Sequence, residues 1–298
     1  MSFADALAAG EKAAERYALT VPHTLAQGLG GTRLGRRSGS SQEFQEHRDY
    51  QPGDDLRHLD WSAYARSDRL VVKLYHEEVD PHLDLLVDGS RSMALPESAK
   101  ANATAGLAAL LAQAAAHTGF TCAAWLAGDG CQRLGIPGGR PITWENIDFE
   151  VNNTLGEAFV SLPPGMRARG LRILVSDLLS ADEPRALLDR VVQGAAAVVV
   201  VQLVARDDLE PPSPGFYQLV DHENGETRDI LVDNAAAQRY RAAVTAHQEM
   251  WQRACREVGA TLVQLVAEEL VPGGFSTDDA FPAVAMASLV EREVLDLR

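Results

Sequence analysis

The stretch Leu83-Asp84-Leu85-Leu86-Val87-Asp88-Gly89-Ser90-Arg91-Ser92 decides the fold. A mainly apolar run, Leu83 to Val87, leads directly into a carboxylate at Asp88 and two hydroxyls at Ser90 and Ser92. Alternate residues of a tight loop can aim three such oxygens at one point, and Mg²⁺ favours hard oxygen donors while keeping some of its waters. The stretch therefore reads as a strand ending in a divalent-cation site. A second run of the same design, Leu171 to Val175 followed by Ser176-Asp177, supplies another acid. Asp88 and Asp177 would sit at the carboxyl ends of two strands, where doubly wound sheets bind ligands at the point of strand-order reversal. Between them, Asn153-Thr154 opens the helical pattern Leu155 to Val160, so the Thr154 hydroxyl serves either as a helix cap or as a further ligand.

Working outward, short apolar runs alternate with longer helical patterns from residue 83 onward. This is the signature of an α/β fold: a doubly wound, mainly parallel sheet flanked by helices. The expected strands are Leu83 to Val87, Thr121 to Leu126, Leu171 to Val175, Ala197 to Val204 and Thr261 to Val266. The expected helices are Glu97 to His117, Asp182 to Gln193 and Asn234 to Val258, with Asp182 and Asn234 as caps. Tyr217 to Val220 and Asp229 to Val232 flank Asn224-Gly225 and predict a β-hairpin inserted around residues 216–233. The Pro-rich run from Glu210 to Pro214 reads as a stiff connector before it.

The first 80 residues differ in character, which predicts an N-terminal appendage over 1–80 and a sheet domain over 81–298. Met1 to Tyr17 reads as an exposed amphipathic helix, and Gly28 to Ser41 as a loop. In Tyr50 to Arg66, Pro52-Gly53 fits a tight turn, Asp54 or Asp55 a helix cap, and Arg57 with Asp60 a pair on one helical face. These charges and Trp61 either dock the appendage or recognise a partner.

The chain has 298 residues, 46% of them apolar, enough for one large core or a core with a small satellite. A formal net charge of −15 disfavours nucleic acid as a partner, since phosphate binding needs a basic footprint. Arg33, Arg36 and Arg37 form one short basic cluster, read as a solvated loop or an internal ion pair. Cys122, Cys131 and Cys255 form no Cys-x-x-Cys pair and read as reduced. With no apolar run long enough for a membrane span and no signal-peptide pattern, a cytoplasmic location is expected.

The order Asp88, Ser90, Ser92, Met93, then Thr154, then Asp177 resembles the metal-ion-dependent adhesion site of von Willebrand factor type A domains. The resemblance makes Asp88, Ser90 and Ser92 first-loop ligands, Thr154 the second-loop ligand and Asp177 the third-loop acid, with Thr143 an alternative to Thr154. It implies Mg²⁺ or Mn²⁺ with an open position that a partner protein's Asp or Glu carboxylate fills. The Tyr50 to Arg66 run and the segment Asp221 to Glu226 are similar to signatures of a bacterial family of unknown function that carries a type A-like domain. That family implies an adaptor working with MoxR-type AAA+ ATPases in protein assembly or remodelling.

Two other readings compete with the adaptor. An aspartyl-nucleophile phosphohydrolase would begin with a strand-end acid such as Asp88, but its mechanism needs a second acid at position 90, where this chain has Ser. His47, His58, His76 and His82 accompany no nucleophile elbow, and no phosphate-binding Gly-rich loop is present, so no catalytic residue is assigned. A scaffold of the same fold without metal is the third reading, with Arg91 folding inward as the substitute cation.

Overall fold

A computed structural model describes residues 2–20, 43–52, 59–76, 81–95, 98–145, 147–220, 226–271 and 279–298. The basic cluster Arg33, Arg36 and Arg37, the proposed loop and caps over 53–58, and the hairpin turn at Asn224-Gly225 lie outside the described residues. The strands are β1 (Tyr17–Leu19), β2 (Glu43–Asp49), β3 (Val71–His76), β4 (His82–Asp88), β5 (Thr121–Gly128), β6 (Gly130–Leu134), β7 (Leu171–Ser176), β8 (Ala197–Val204), β9 (Gly215–Val220), β10 (Thr227–Val232), β11 (Thr261–Val266) and β12 (Leu295–Leu297). The α-helices are α1 (Phe3–Ala13), α2 (Trp61–Ser67), α3 (Lys100–His117), α4 (Leu155–Ser161), α5 (Pro184–Val192), α6 (Arg206–Leu209), α7 (Asn234–Val258), α8 (Ala267–Leu270) and α9 (Ala283–Glu291).

Six strands form the central sheet in the order β11-β8-β7-β4-β5-β6, all parallel except the edge strand β6. The fold is thus the expected mixed α/β type, a mainly parallel sheet flanked by helices. Strands β4, β7 and β8 are apolar on both faces because helices cover both sides. On one face, Leu86, Leu174, Val198 and Val200 pack with Leu155 and Phe159 of α4, Leu187, Leu188 and Val191 of α5, and Trp251 and Cys255 of α7. Strands β9 and β10 form the separate hairpin, with Tyr217 opposite Ile230 and Phe216 opposite Leu231.

The opposite face carries α3, which is buried almost all round. Its composition explains why: a run of Ala and Gly lets the sheet approach from one side and α1 from the other. A side chain on Gly10 would collide with the Gly106 carbonyl, and a Cβ on Gly106 would lie 2.5 Å from Phe281 Cζ and 2.9 Å from the Ala6 carbonyl oxygen. The first helix is therefore a third layer, and the expectation that Met1 to Tyr17 is exposed is corrected. Ala6, Leu7, Ala9 and Ala13 are buried, and Ser2 with Asp5 forms a capping box at its start. The next residues pair β1 with β12, and Arg16 donates to the Phe281 carbonyl at 2.8 Å.

These contacts place the first residues with the sheet domain instead of with the appendage expected over 1–80. One compact unit comprises Met1–Pro22 with Pro81–Arg298, and a second comprises His23–Asp80. The physical reason is long-range burial of a small, Ala-rich helix that looks solvent-exposed when read alone. Within the second unit, β2 and β3 form an antiparallel pair, and Asp60 caps α2 by accepting from Ser62 N and Ala63 N at 2.9 and 3.0 Å. Its aromatic residues Trp61 and Tyr64 are exposed and meet edge to face. The expected Asp54 or Asp55 cap falls outside the described residues, while the described helix is capped by Asp60.

His82 is the first residue of β4. Its Nδ1 lies 2.7 Å from Thr121 Oγ1 and its Nε2 lies 3.1 Å from Asp84 Oδ1, while Asp84 Oδ2 accepts from Arg167 N at 2.8 Å. This buried network ties together the amino ends of β4 and β5 and the approach to β7. Among the described residues no helix is long and apolar enough to cross a membrane.

The α1–α3 crossing can be tested directly. Alanine gains about 1 kcal/mol over glycine in a helix interior, but overpacking costs roughly 1–3 kcal/mol when the obstruction is backbone. Gly106→Ala is therefore expected to lower stability, seen as a lower urea midpoint at unchanged slope, and an unchanged or higher midpoint would contradict the three-layer packing.

Candidate metal centre

Strands β4 and β7 are direct neighbours, with Val87 opposite Val175. The chain leaves β4 for β5 on one flank and later returns to β7 on the other, so strand order reverses between them. Asp88 and Ser176-Asp177 thus emerge side by side into the crevice where doubly wound sheets hold ligands.

The first loop is pinned to the sheet. Gly89 donates its N–H to the Ala127 carbonyl at 2.8 Å, and a Cβ there would lie 2.9 Å from that oxygen, which explains glycine at this position. Asp88, only 2% exposed, accepts at Oδ1 from Ser90 N at 2.9 Å and at Oδ2 from the Ser176 hydroxyl at 2.5 Å. The Ser90 and Ser92 hydroxyls lie 3.1 Å apart, and both residues are half-buried. Burial first, and then the neighbouring Asp177 charge, push the Asp88 carboxyl up to about 6, against hydrogen bonds from Ser176 and Ser90 that pull it down.

The second loop runs beside the first, since Ser90 bridges Val151 and Arg91 N donates to the Val151 carbonyl at 3.1 Å. The side chain of Arg91 turns to the Glu150 carbonyl, its Nε donating at 2.8 Å. Thr154 caps α4: its hydroxyl accepts from Glu157 N at 3.2 Å and donates to Asp182 Oδ1 at 2.7 Å. Of the two roles open to Thr154, the structure displays the cap. Thr143 donates its hydroxyl to the Arg140 carbonyl at 2.7 Å and is likewise occupied locally.

The third loop is strained and strongly held. Leu178, fully buried, has φ of 59°, the left-handed region that a branched side chain seldom adopts. Its N–H donates to the Ser176 hydroxyl at 2.9 Å, Leu179 N donates to Asp177 Oδ1 at 3.0 Å, and Gln202 Nε2 donates to the Asp177 carbonyl at 3.2 Å. From α7, His247 Nε2 lies 2.9 Å from the Leu178 carbonyl oxygen.

Sequence reasoning missed the group that matters most to Asp177. Lys100, the first residue of α3, is 0% exposed, and its ammonium lies 2.9 Å from Asp177 Oδ2 and 3.0 Å from Asp208 Oδ2. Burial opposes its charge, yet the Asp177 and Asp208 carboxylates more than offset this and hold the ammonium above the ordinary lysine range. The signal was present, because a lysine opening an Ala-rich helix faces the positive end of the helix dipole and needs acids to hold it there.

Asp177 and Asp208 share the Lys100 ammonium, and the Asp177 charge bears in turn on Asp88. Among the described residues no group of three or more His, Cys, Asp or Glu is arranged to hold a metal. The donors that do converge are one carboxylate, Asp88, and the hydroxyls of Ser90 and Ser92. That hard-oxygen set suits Mg²⁺ or Mn²⁺ with water completing the shell. Burial pushes the thiols of Cys122 and Cys131 up to about 12 and that of Cys255 up to about 11, which makes all three poor nucleophiles.

A mainly parallel α/β sheet with this strand-end crevice defines the class. The chain belongs to the family described as "Protein of unknown function DUF58", which matches residues 46–250. It is 28% identical over 259 residues to the uncharacterized protein Rv1480 of Mycobacterium tuberculosis, covering 83% of this chain and 81% of that protein. Among solved structures it is similar to BatB from Bacteroides thetaiotaomicron, at 11% identity and TM-score 0.38 over 71% of this chain and 96% of that one. A von Willebrand factor type A protein from Catenulispora acidiphila gives 14% identity and TM-score 0.30 over 45% and 35%. At these scores the structural likenesses carry no argument of their own, and the strand order above carries the fold.

The raised Asp88 carboxyl has a definite sign. In the folded chain the proton is held up to about pH 6, whereas an unfolded Asp releases it near 3.9. Metal-free stability is therefore highest in acid with respect to this group, falls as pH rises from about 4 to about 6, and stays lower above that. Asp88→Asn is expected to stabilise metal-free protein at pH 7 by on the order of 1–3 kcal/mol, seen as a melting temperature above that of the natural chain, with little gain at pH 4. An equal gain at both pH values would remove the argument for a strained, buried charge.

Proposed function

We propose that this protein is a metal-dependent protein–protein adaptor: Asp88, Ser90 and Ser92 hold one Mg²⁺ or Mn²⁺ and a partner's Asp or Glu carboxylate completes its shell. The observation that carries this reading is a buried carboxylate beside two half-exposed hydroxyls, with the Asp177 charge next to it. When bound, the cation supplies the positive charge that draws a partner carboxylate into the crevice. Asp177, whose own oxygens accept from Lys100 and Leu179 N, would favour the cation through its negative charge. Thr154 would join the ligands only by giving up Asp182.

The chain's own residues favour binding over bond breaking. A phosphoaspartyl mechanism at Asp88 lacks a proton donor at Ser90, whose hydroxyl instead faces that of Ser92. The partner class is the one the sequence resemblance implies, a MoxR-type AAA+ ATPase acting in protein assembly or remodelling. One specific observation supports a second reading, a metal-free scaffold: Lys100 already brings a cation to the cluster, in the part the sequence suggested for Arg91.

Calorimetric titration with Mn²⁺ separates the two. The adaptor reading expects saturable heat from the natural chain and none from Asp88→Ala, and silence from both would leave the scaffold. A purified MoxR-type ATPase is expected to be retained on the immobilised chain in Mg²⁺ and released by EDTA; equal retention after chelation would refute a metal bridge.

A further inference from the structure

Two circumstances make Lys100 an expensive residue where it stands. A fully buried ammonium is tolerated only when paired. Its position as the first residue of α3 sets it against the helix dipole. Both costs are met by the same two acids, Asp177 at the end of β7 and Asp208 in α6 beyond β8. Asp208 is itself fixed, since its Oδ2 accepts from Ala205 N at 2.8 Å and its carbonyl accepts from the Tyr240 hydroxyl at 3.1 Å. One side chain thereby laces the chain segments that follow β4, β7 and β8.

We infer that Lys100 is a positioning residue and built-in counter-ion: it occupies the Asp177–Asp208 side of the cluster, confines a divalent cation to Asp88, Ser90 and Ser92, and sets how tightly that cation is held. This inference rests on the metal-binding reading above and deepens it. Asp177 and Asp208 against Lys100 leave the triad behind the site at a net −1. Removing Lys100 alone takes it to −2, and removing Lys100 together with the Asp208 charge returns it to −1. Asp208→Asn alone leaves it neutral. If Lys100 acts through charge, cation affinity follows this count. If it merely fills space, the three variants lose affinity in proportion to how far each disturbs the fold.

The test is Mn²⁺ titration of the full chain by calorimetry near pH 7.5, in the natural form and in three variants. Lys100→Met is expected to tighten Mn²⁺ by about tenfold or more and Asp208→Asn to weaken it by about tenfold, the order expected when one unit charge changes near a partly screened site. Lys100→Met with Asp208→Asn is expected to return to within about threefold of the natural chain. The last pair keeps the test valid if Lys100→Met alone fails to fold, because the double variant removes both buried charges together. Mn²⁺ binding by the natural chain that is unchanged across the folded variants would overturn the counter-ion role and leave the metal reading standing. No binding by any form would overturn the metal reading and this inference with it. Binding that appears only when Lys100 is removed would support the counter-ion role while refuting metal binding by the natural chain.

Discussion

Three acids and one ammonium share the carboxyl end of the central sheet, and Asp88, Asp177 and Lys100 there are each no more than 2% exposed. Isolated charges do not persist at such depth, because each has lost the water that stabilised it. The arrangement holds only because the surrounding loops are stitched to the sheet: Gly89 to Ala127, Leu178 to Ser176 and His247, and Asp208 to Ala205. The strand-order reversal brings Asp88 and Asp177 together, and α3 enters the crevice with Lys100 as its first residue.

The layers behind the crevice follow from the same requirement for rigidity. An Ala- and Gly-rich α3 can lie flush between sheet and α1, so the residue at its start is fixed by packing on both sides. The carboxyl end of β7 is held by Gln202 from β8 and His247 from α7, which together stabilise a left-handed leucine that local energetics disfavour. A site built in this way is preorganised, with its carboxylates fixed by hydrogen bonds to the surrounding loops.

Much of this was legible from residues alone. Ala197–Val204, Thr261–Val266 and Asn234–Val258 begin and end where periodicity placed them, because runs apolar on both faces and a long amphipathic pattern are strong local signals. The acid-ending strands were readable for the same reason. What escaped was non-local. The burial of α1 depends on Gly10 meeting Gly106, and the antiparallel edge strand β6 is a short alternating segment that the turn at Asp129 joins to β5. The role of Lys100 escaped because its two acids arrive from the end of β7 and from α6. Thr154 was undecidable, since a cap and a metal ligand use the same hydroxyl, and here that hydroxyl goes to Asp182.

The most direct test of the account is an anomalous difference map from crystals soaked in Mn²⁺. The account predicts one peak bonded to Asp88, Ser90 and Ser92, with the Lys100 ammonium still between Asp177 and Asp208. A crevice without a peak, or a peak in the place of the Lys100 ammonium, would contradict it.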